Sequence, residues 1–298
     1  MVLLDNYHSV IDAALRDATS VPQSAAQAPR VAPFQQAHLA DSFDEFLPFS
    51  DSVFLVSQNA DMFVQQVSHF LLGAFLTTGH AFAYPESEED PTAVTFPVAH
   101  PTEDGRSGLE QGIGHWFPTL FRGGVTFGEV VTASVPSVHR GCRGSVVNLV
   151  GPAVIRAVEL EASGKGPRLF CDRSFADRLG DPTRRYLADA GHAQEILWPA
   201  YLYIGDSNPE RSVLQFPDIF YPAANLWKAF NHTPVAEHYY SFVRLVVHAT
   251  LRHFELEGTT EVVRTRLERF VRDAGLGSKW NDLLCSYREG AIPTRDAG

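Results

Sequence analysis

The chain has 298 residues, 45% of them apolar and 20% charged, enough to bury one ordinary core with room for an appendage and no need of staples. Its net charge of -11 argues against a nucleic-acid or anionic-membrane surface as the main partner, since both need clustered Lys and Arg. Cys142, Cys171 and Cys285 form no CxxC pair and suggest no zinc site, the N-terminus lacks a signal-peptide pattern, and no run of about 18 apolar residues occurs, so the expectation is a soluble protein of the reducing cytoplasm.

In chain order, Val2-Leu3-Leu4 reads as a short apolar strand ending at Asp5, and Ser9 to Leu15 continues at helical spacing. The strand would deliver a carboxylate to a strand-to-helix turn. Thr19 to Gln36, rich in Ala, Pro, Gln and Ser, has no period and reads as a loop. Phe43 to Val56 reads as a hairpin whose tight turn carries Asp51. Asn59 and Asp61 sit where an N-cap and a first-turn acid belong, and Phe63, Val64, Val67, Phe70, Leu71, Ala74 and Phe75 follow as a buried stripe to Gly79. Residues 80–115 read as an insertion, with a lid or a dimer contact both open, and His100, His115 and His139 as loop histidines.

The centre of the chain is 120–161. Leu120 to Val131 reads as a strand with Gly123, Gly124 and Gly128 inside it, and glycines in such a run mark a bulge or the close approach of another backbone or a ligand. Val146 to Val150 reads as a return strand, and Gly151-Pro152 opens a helix that runs to Glu161. Arg168 to Asp172 and Ala200 to Ile204 read as strands, 173–193 as helical, and 234–290 as three helices separated near Gly258 and Gly275-Leu276-Gly277. The fold class expected is therefore α/β (α+β), with a sheet domain over 1–205 and a helical extension over 206–298.

Two acids carry the chemistry. Asp5 and Asp51 both end or turn a strand, and adjacent strands would bring them to one sheet end, where two carboxylates plus substrate phosphates suit Mg²⁺. The plain alternative is turn-edge Asp residues that bond only to their own loops. The order Phe49-Ser50-Asp51-Ser52, then Arg122-Gly123-Gly124-Val125-Thr126-Phe127-Gly128, then Gly151-Pro152-Ala153 to Ala157-x-x-x-Glu161, then Pro167-Arg168, resembles the class III nucleotidyl cyclases. More closely it resembles the bacterial pyrimidine cyclases of the Pycsar anti-phage systems, over about residues 1–172.

That resemblance implies a ferredoxin-like βαββαβ core working as a head-to-tail homodimer with sites at the interface. It implies two Mn²⁺ or Mg²⁺ ions held by Asp5, with Asn6 beside it, and Asp51. The substrate implied is UTP or CTP, and the product a cyclic nucleotide sensed by a separate effector. Arg122 falls at the place of a triphosphate-binding arginine, and its planar fork can hold two phosphate oxygens. Backbone amides of Asn6, Tyr7, His8 and Ser9 could cradle phosphates as any helix N-terminus can. Phe46 and Asn148 occupy the base-reading positions. An aromatic narrows the pocket toward a six-membered ring, and an amide matches the mixed edge of uracil or cytosine alike. A core Phe with a strand-end Asn is the plain alternative.

The departures from the pattern fall on the helix after Gly151. Purine cyclases carry a transition-state Asn and Arg there, and this chain has Ile155 and Glu159. Arg156 is the candidate replacement, with an outward salt bridge as the alternative. No pair of histidines has HxxxH or HExxH spacing; His248 and His253, five apart, point to different helix faces.

Overall fold

The computed structural model describes residues 43–49, 52–83, 90, 92–101, 107–115, 117–139, 142–204 and 208–290. Asp5, Asn6, Tyr7, His8, Ser9 and Asp51 lie outside them. The fold is mixed helix and strand, as expected.

β1 (Glu45–Phe49) and β2 (Ser52–Val56) form an antiparallel hairpin with Phe49 opposite Ser52. Helix α1 (Ala60–Ala83) follows, and its cap is the one the sequence announces: the Asn59 side-chain oxygen accepts the Met62 N–H at 3.0 Å. Asp61 reaches instead across the molecule, accepting the Gly180 N–H at 3.0 Å. The stripe from Phe63 to Phe82 is buried, and α1 runs through the middle of the main core.

The described part of the insertion read over 80–115 is almost entirely regular secondary structure. α1 continues to Ala83, and β3 (Ala93–Pro101) pairs antiparallel with β4 (Ser107–His115) in a long ribbon. A second ribbon joins β6 (Val131–His139) to β7 (Cys142–Val150), so His100, His115 and His139 lie in strands. Between the ribbons, β5 is only Gly123–Val125, shorter than the strand expected over 120–131.

β5 is the edge of a four-stranded sheet of order β5-β8-β10-β9. β8 (Leu169–Cys171) lies parallel to β5, while β10 (Gln194–Ile196) is antiparallel to both β8 and β9 (Leu187–Asp189). Helix α2 (Pro152–Glu161) connects β7 to β8 and covers one face of this sheet. Alternation along β8 sends Leu169 and Cys171 to the main core and Phe170 to a small cluster with Leu160 of α2 and Ala193.

Two expectations are corrected here. Residues 173–193 are two single-turn helices, Arg173–Ala176 and Asp181–Arg184, followed by β9, because Gly180-Asp181-Pro182 interrupts the helical path. Ala200 to Ile204 is not a strand: Trp198–Leu202 is a 3-10 helix with Pro199 in its first turn. Four consecutive residues, Trp198 to Tyr201, are buried, which erases the periodicity that tells strand from helix.

Helices α3 (Phe216–Phe230), α4 (Ala236–Leu256), α5 (Thr260–Asp273) and α6 (Trp280–Gly290) complete the described chain. The last three were legible from the breaks at Gly258 and Gly275, both at positive φ (69° and 76°). α3 and α4 pack on each other and α3 on α1, so one continuous core includes residues on both sides of 205. Between the sheet and these helices, Arg168 holds Glu195 through two bonds of 2.6 and 2.5 Å, and Trp198 donates its indole N–H to the Pro167 carbonyl at 2.9 Å.

Candidate functional site

The glycines of the central stretch bring two backbones together. A Cβ on Gly124 would lie 1.9 Å from the Ala157 carbonyl oxygen and 2.7 Å from the Glu161 nitrogen, so only glycine lets β5 run directly beneath α2. Gly151, which opens that helix, has φ 144°, and a side chain there would strike the Glu129 carbonyl at 2.5 Å. The chain therefore leaves β5 at Thr126, bends over the start of α2 at Gly128, and returns from β7 into α2 through Gly151.

This bend is one wall of a cavity of about 140 Å³. The opposite wall is β2 (Phe54, Val56) and the start of α1 (Ala60, Phe63), and Leu149, Ala153 and Phe175 close the sides. Most of the lining residues are apolar, with Ser57, Gln58 and Thr126 as the polar side chains. A lining of this kind suits a small flat ring.

At the C-terminal end of β8 lies a polar cluster that the sequence did not announce. Asp172 accepts hydrogen bonds from Thr126 (2.6 Å), Ser174 (2.6 Å) and the Phe175 N–H (3.1 Å), and Arg156 approaches it at 3.6 Å. Burial works to raise the Asp172 carboxyl, but the Ser174 and Thr126 hydroxyls, the Phe175 amide and Arg156 together outweigh it and hold it below the usual carboxylate range. Arg178 lies over the half-exposed ring of Phe127, 4.2 Å from its centroid. Asp172 two residues before Ser174, at the end of an apolar run, is an N-cap signature that could have pointed here. The neighbouring Cys171 is no nucleophile: burial, with Asp172 beside it, pushes its thiol up to about 12.

The expected site residues are spread around this frame. Arg156 is tied to both Glu159 (3.1 Å) and Asp172, so its charge is already matched. Arg122 precedes β5 and pairs with Glu161 at the far end of α2. It borders a different groove, with Leu120, Pro167, Val235, His238 and Tyr239, and not the cavity. Asn148 is on β7 opposite Ala133, and its neighbour Leu149 is the one that lines the cavity; adjacent strand residues face opposite ways. Phe46 is in β1, in register with Leu55. Ile155 is 65% exposed on α2. The structure thus brings Arg156 to Asp172 but gathers neither Arg122 nor Asn148 with the cavity.

Among the described residues, no group of three or more His, Cys, Asp or Glu is placed to hold a metal ion. No helix among them is long and apolar enough to cross a membrane. Compared with protein-family models, curated proteins and solved structures, the chain matches none.

Proposed function

We propose that this chain is a class III-like pyrimidine nucleotide cyclase, converting UTP, or alternatively CTP, to the 3',5'-cyclic nucleotide and pyrophosphate. The observation that carries the reading is the glycine-lined bend from Gly123 to Gly128 packed under α2, beside the hairpin whose connecting residues include Asp51. A cavity of about 140 Å³ between these elements is matched in size to a single six-membered ring rather than to a fused purine. In the reaction the ribose 3'-oxygen attacks the α-phosphorus in line. The bond from that phosphorus to the β-bridging oxygen breaks, pyrophosphate leaves, and the 3'-hydroxyl proton passes to solvent.

Mn²⁺ or Mg²⁺ held by Asp5 and Asp51 would supply charge neutralisation and a lowered 3'-hydroxyl pKa. A ferredoxin-like core, a head-to-tail homodimer, a cytoplasmic setting and a separate effector that senses the product in anti-phage defence belong to the same proposal.

A second reading has its own support. Ile155 stands exposed where a transition-state amide is wanted, and Arg156 is matched by Glu159 and Asp172. These favour a non-catalytic module of the same architecture that binds or dimerises. Incubation of the chain with labelled ATP, GTP, CTP and UTP and Mn²⁺, with products separated by chromatography, decides between them. A cyclic pyrimidine product that vanishes in folded Asp5→Ala and Asp51→Ala variants supports the enzyme. A purine product overturns the base assignment, and no pyrophosphate from any triphosphate leaves the module.

A further inference from the structure

The ribbon β3–β4 pairs in unbroken register from Ala93↔His115 to Pro101↔Ser107, and no third strand joins it among the described residues. In an antiparallel pair, alternate opposed residues exchange both backbone bonds, while those between turn their N–H and C=O groups away from the partner strand. The odd-numbered residues of β3 are of the second kind. The Ala93 N–H goes to the Asp90 carbonyl at 3.1 Å and not across to His115, and Pro97 and Pro101, of the same parity, have no N–H to give. Their partners on β4, namely Ser107, Leu109, Gln111, Ile113 and His115, therefore turn their backbone groups outward along the open edge.

The two edges of the ribbon differ. β3 lacks outward donors at Pro97 and Pro101, a device that keeps an edge from recruiting strands. β4 contains neither proline nor lysine, so its outward row is intact. On one face of that strand Leu109 and Ile113 are 76% and 77% exposed, with exposed Gln111 between them. A ribbon of two strands is marginal by itself, and one with uncovered Leu and Ile on its unguarded strand is suited to pairing.

We infer that the outer edge of β4 is an interface, and that its occupant is β4 of a second copy of this chain, antiparallel, with the twofold axis at Gln111. The product is a continuous four-stranded sheet, β3-β4-β4-β3. The register is self-complementary. Gln111 meets its own copy, and an amide offers both donor and acceptor. Leu109 falls opposite the other Ile113, and Glu110 falls opposite Gly112, which keeps the two carboxylates apart. Centring on Glu110 instead would oppose like charges, and centring on Gly112 would set Ile113 against Gln111 and Leu109 against His115. No residue of β4 lines the cavity.

Cysteine scanning in the full chain, with Cys142 and Cys285 replaced by Ser, tests the register. Across a hydrogen-bonded pair the Cα atoms are ~5.5 Å apart, within reach of a disulfide, so Gln111→Cys gives a covalent dimer on mild oxidation. Leu109→Cys alone does not, because its own copy lies ~14 Å along the strand, whereas Leu109→Cys combined with Ile113→Cys does. Gln111→Pro deletes only an outward N–H and leaves the ribbon's own ladder whole; it weakens association about tenfold in sedimentation. The interface is overturned by no crosslink at 111, by an equal crosslink from Leu109→Cys alone, or by an unchanged sedimentation profile for folded Gln111→Pro. Covalent dimer is read by mass under denaturing conditions, so the result is independent of nucleotide turnover.

Discussion

Replacing Gly124 by Ala perturbs the closest backbone approach at the candidate site. The new methyl would sit 1.9 Å from the Ala157 carbonyl oxygen, 2.7 Å from the Glu161 nitrogen and 2.7 Å from the Leu160 Cβ. Two of these are backbone atoms of α2, so no side-chain rotamer relieves the clash. To reach ordinary contact at 3.4 Å, the helix and strand must part by about 1.5 Å, which loosens Leu160 from Phe170 and opens the wall of the cavity. Overpacking in a core costs roughly 1–3 kcal/mol, and rigid backbone on both sides places this variant at the upper end.

At that cost, for a chain of 298 residues, the melting temperature falls by about 5 °C. Gly123→Ala is the control, since its Cβ meets only the Leu169 Cδ1 at 3.0 Å, the end of a flexible side chain. Thermal unfolding followed by circular dichroism measures both. If Gly124→Ala melts within about 1 °C of the parent, or Gly123→Ala is the worse of the two, the packing account of the central glycines is refuted.

Arg168→Ala strands the buried Glu195 carboxylate and should destabilise the chain by ~3–5 kcal/mol in urea unfolding, whereas replacing both residues by apolar ones of similar volume recovers most of that loss. Arg122→Ala should cost no more than ~1 kcal/mol of stability, because its pair with Glu161 is partly solvated. Under the proposed function the same change raises the KM for UTP, and an unchanged KM removes Arg122 from the site. Arg156→Ala should slow turnover with little change in KM; parent-like kinetics would assign it to the surface.

Burial pulls His253 down to about 4, and burial with nearby Arg244 does the same to His248. The unfolded chain then takes up protons before the folded one does. Stability is therefore undiminished above about pH 6.5 and falls as pH drops toward about 4, by on the order of 3 kcal/mol at most for each ring. Replacing both histidines by Asn should flatten that slope in unfolding measured between about pH 6.5 and 4.5, and an unaltered slope would dismiss the assignment.

Local rules in the sequence determined a good part of this molecule. The Asn59 cap and its apolar stripe wrote α1, Gly151-Pro152 wrote the start of α2, and Gly258 and Gly275 separated the last three helices. The requirement for glycine at 124 was also legible, because a glycine inside an apolar β run signals a close approach even before the approaching atom is known. Tertiary structure alone decided the rest. Trp198 to Tyr201 are all buried, which removes their period, and α3 continues through Pro222 with Phe216, Ile219, Phe220 and Ala223 buried.

The partners of the charged groups were likewise invisible to spacing. Arg156 found Asp172 and Arg122 found Glu161 because β5 and β8 lie side by side under α2. Which of Asn148 and Leu149 lines the cavity turned on a strand's two-residue alternation, whose phase is set by what the ribbon packs against. A linear sequence records each residue's preferences, but a pairing between distant residues exists only after the backbone has placed them within reach.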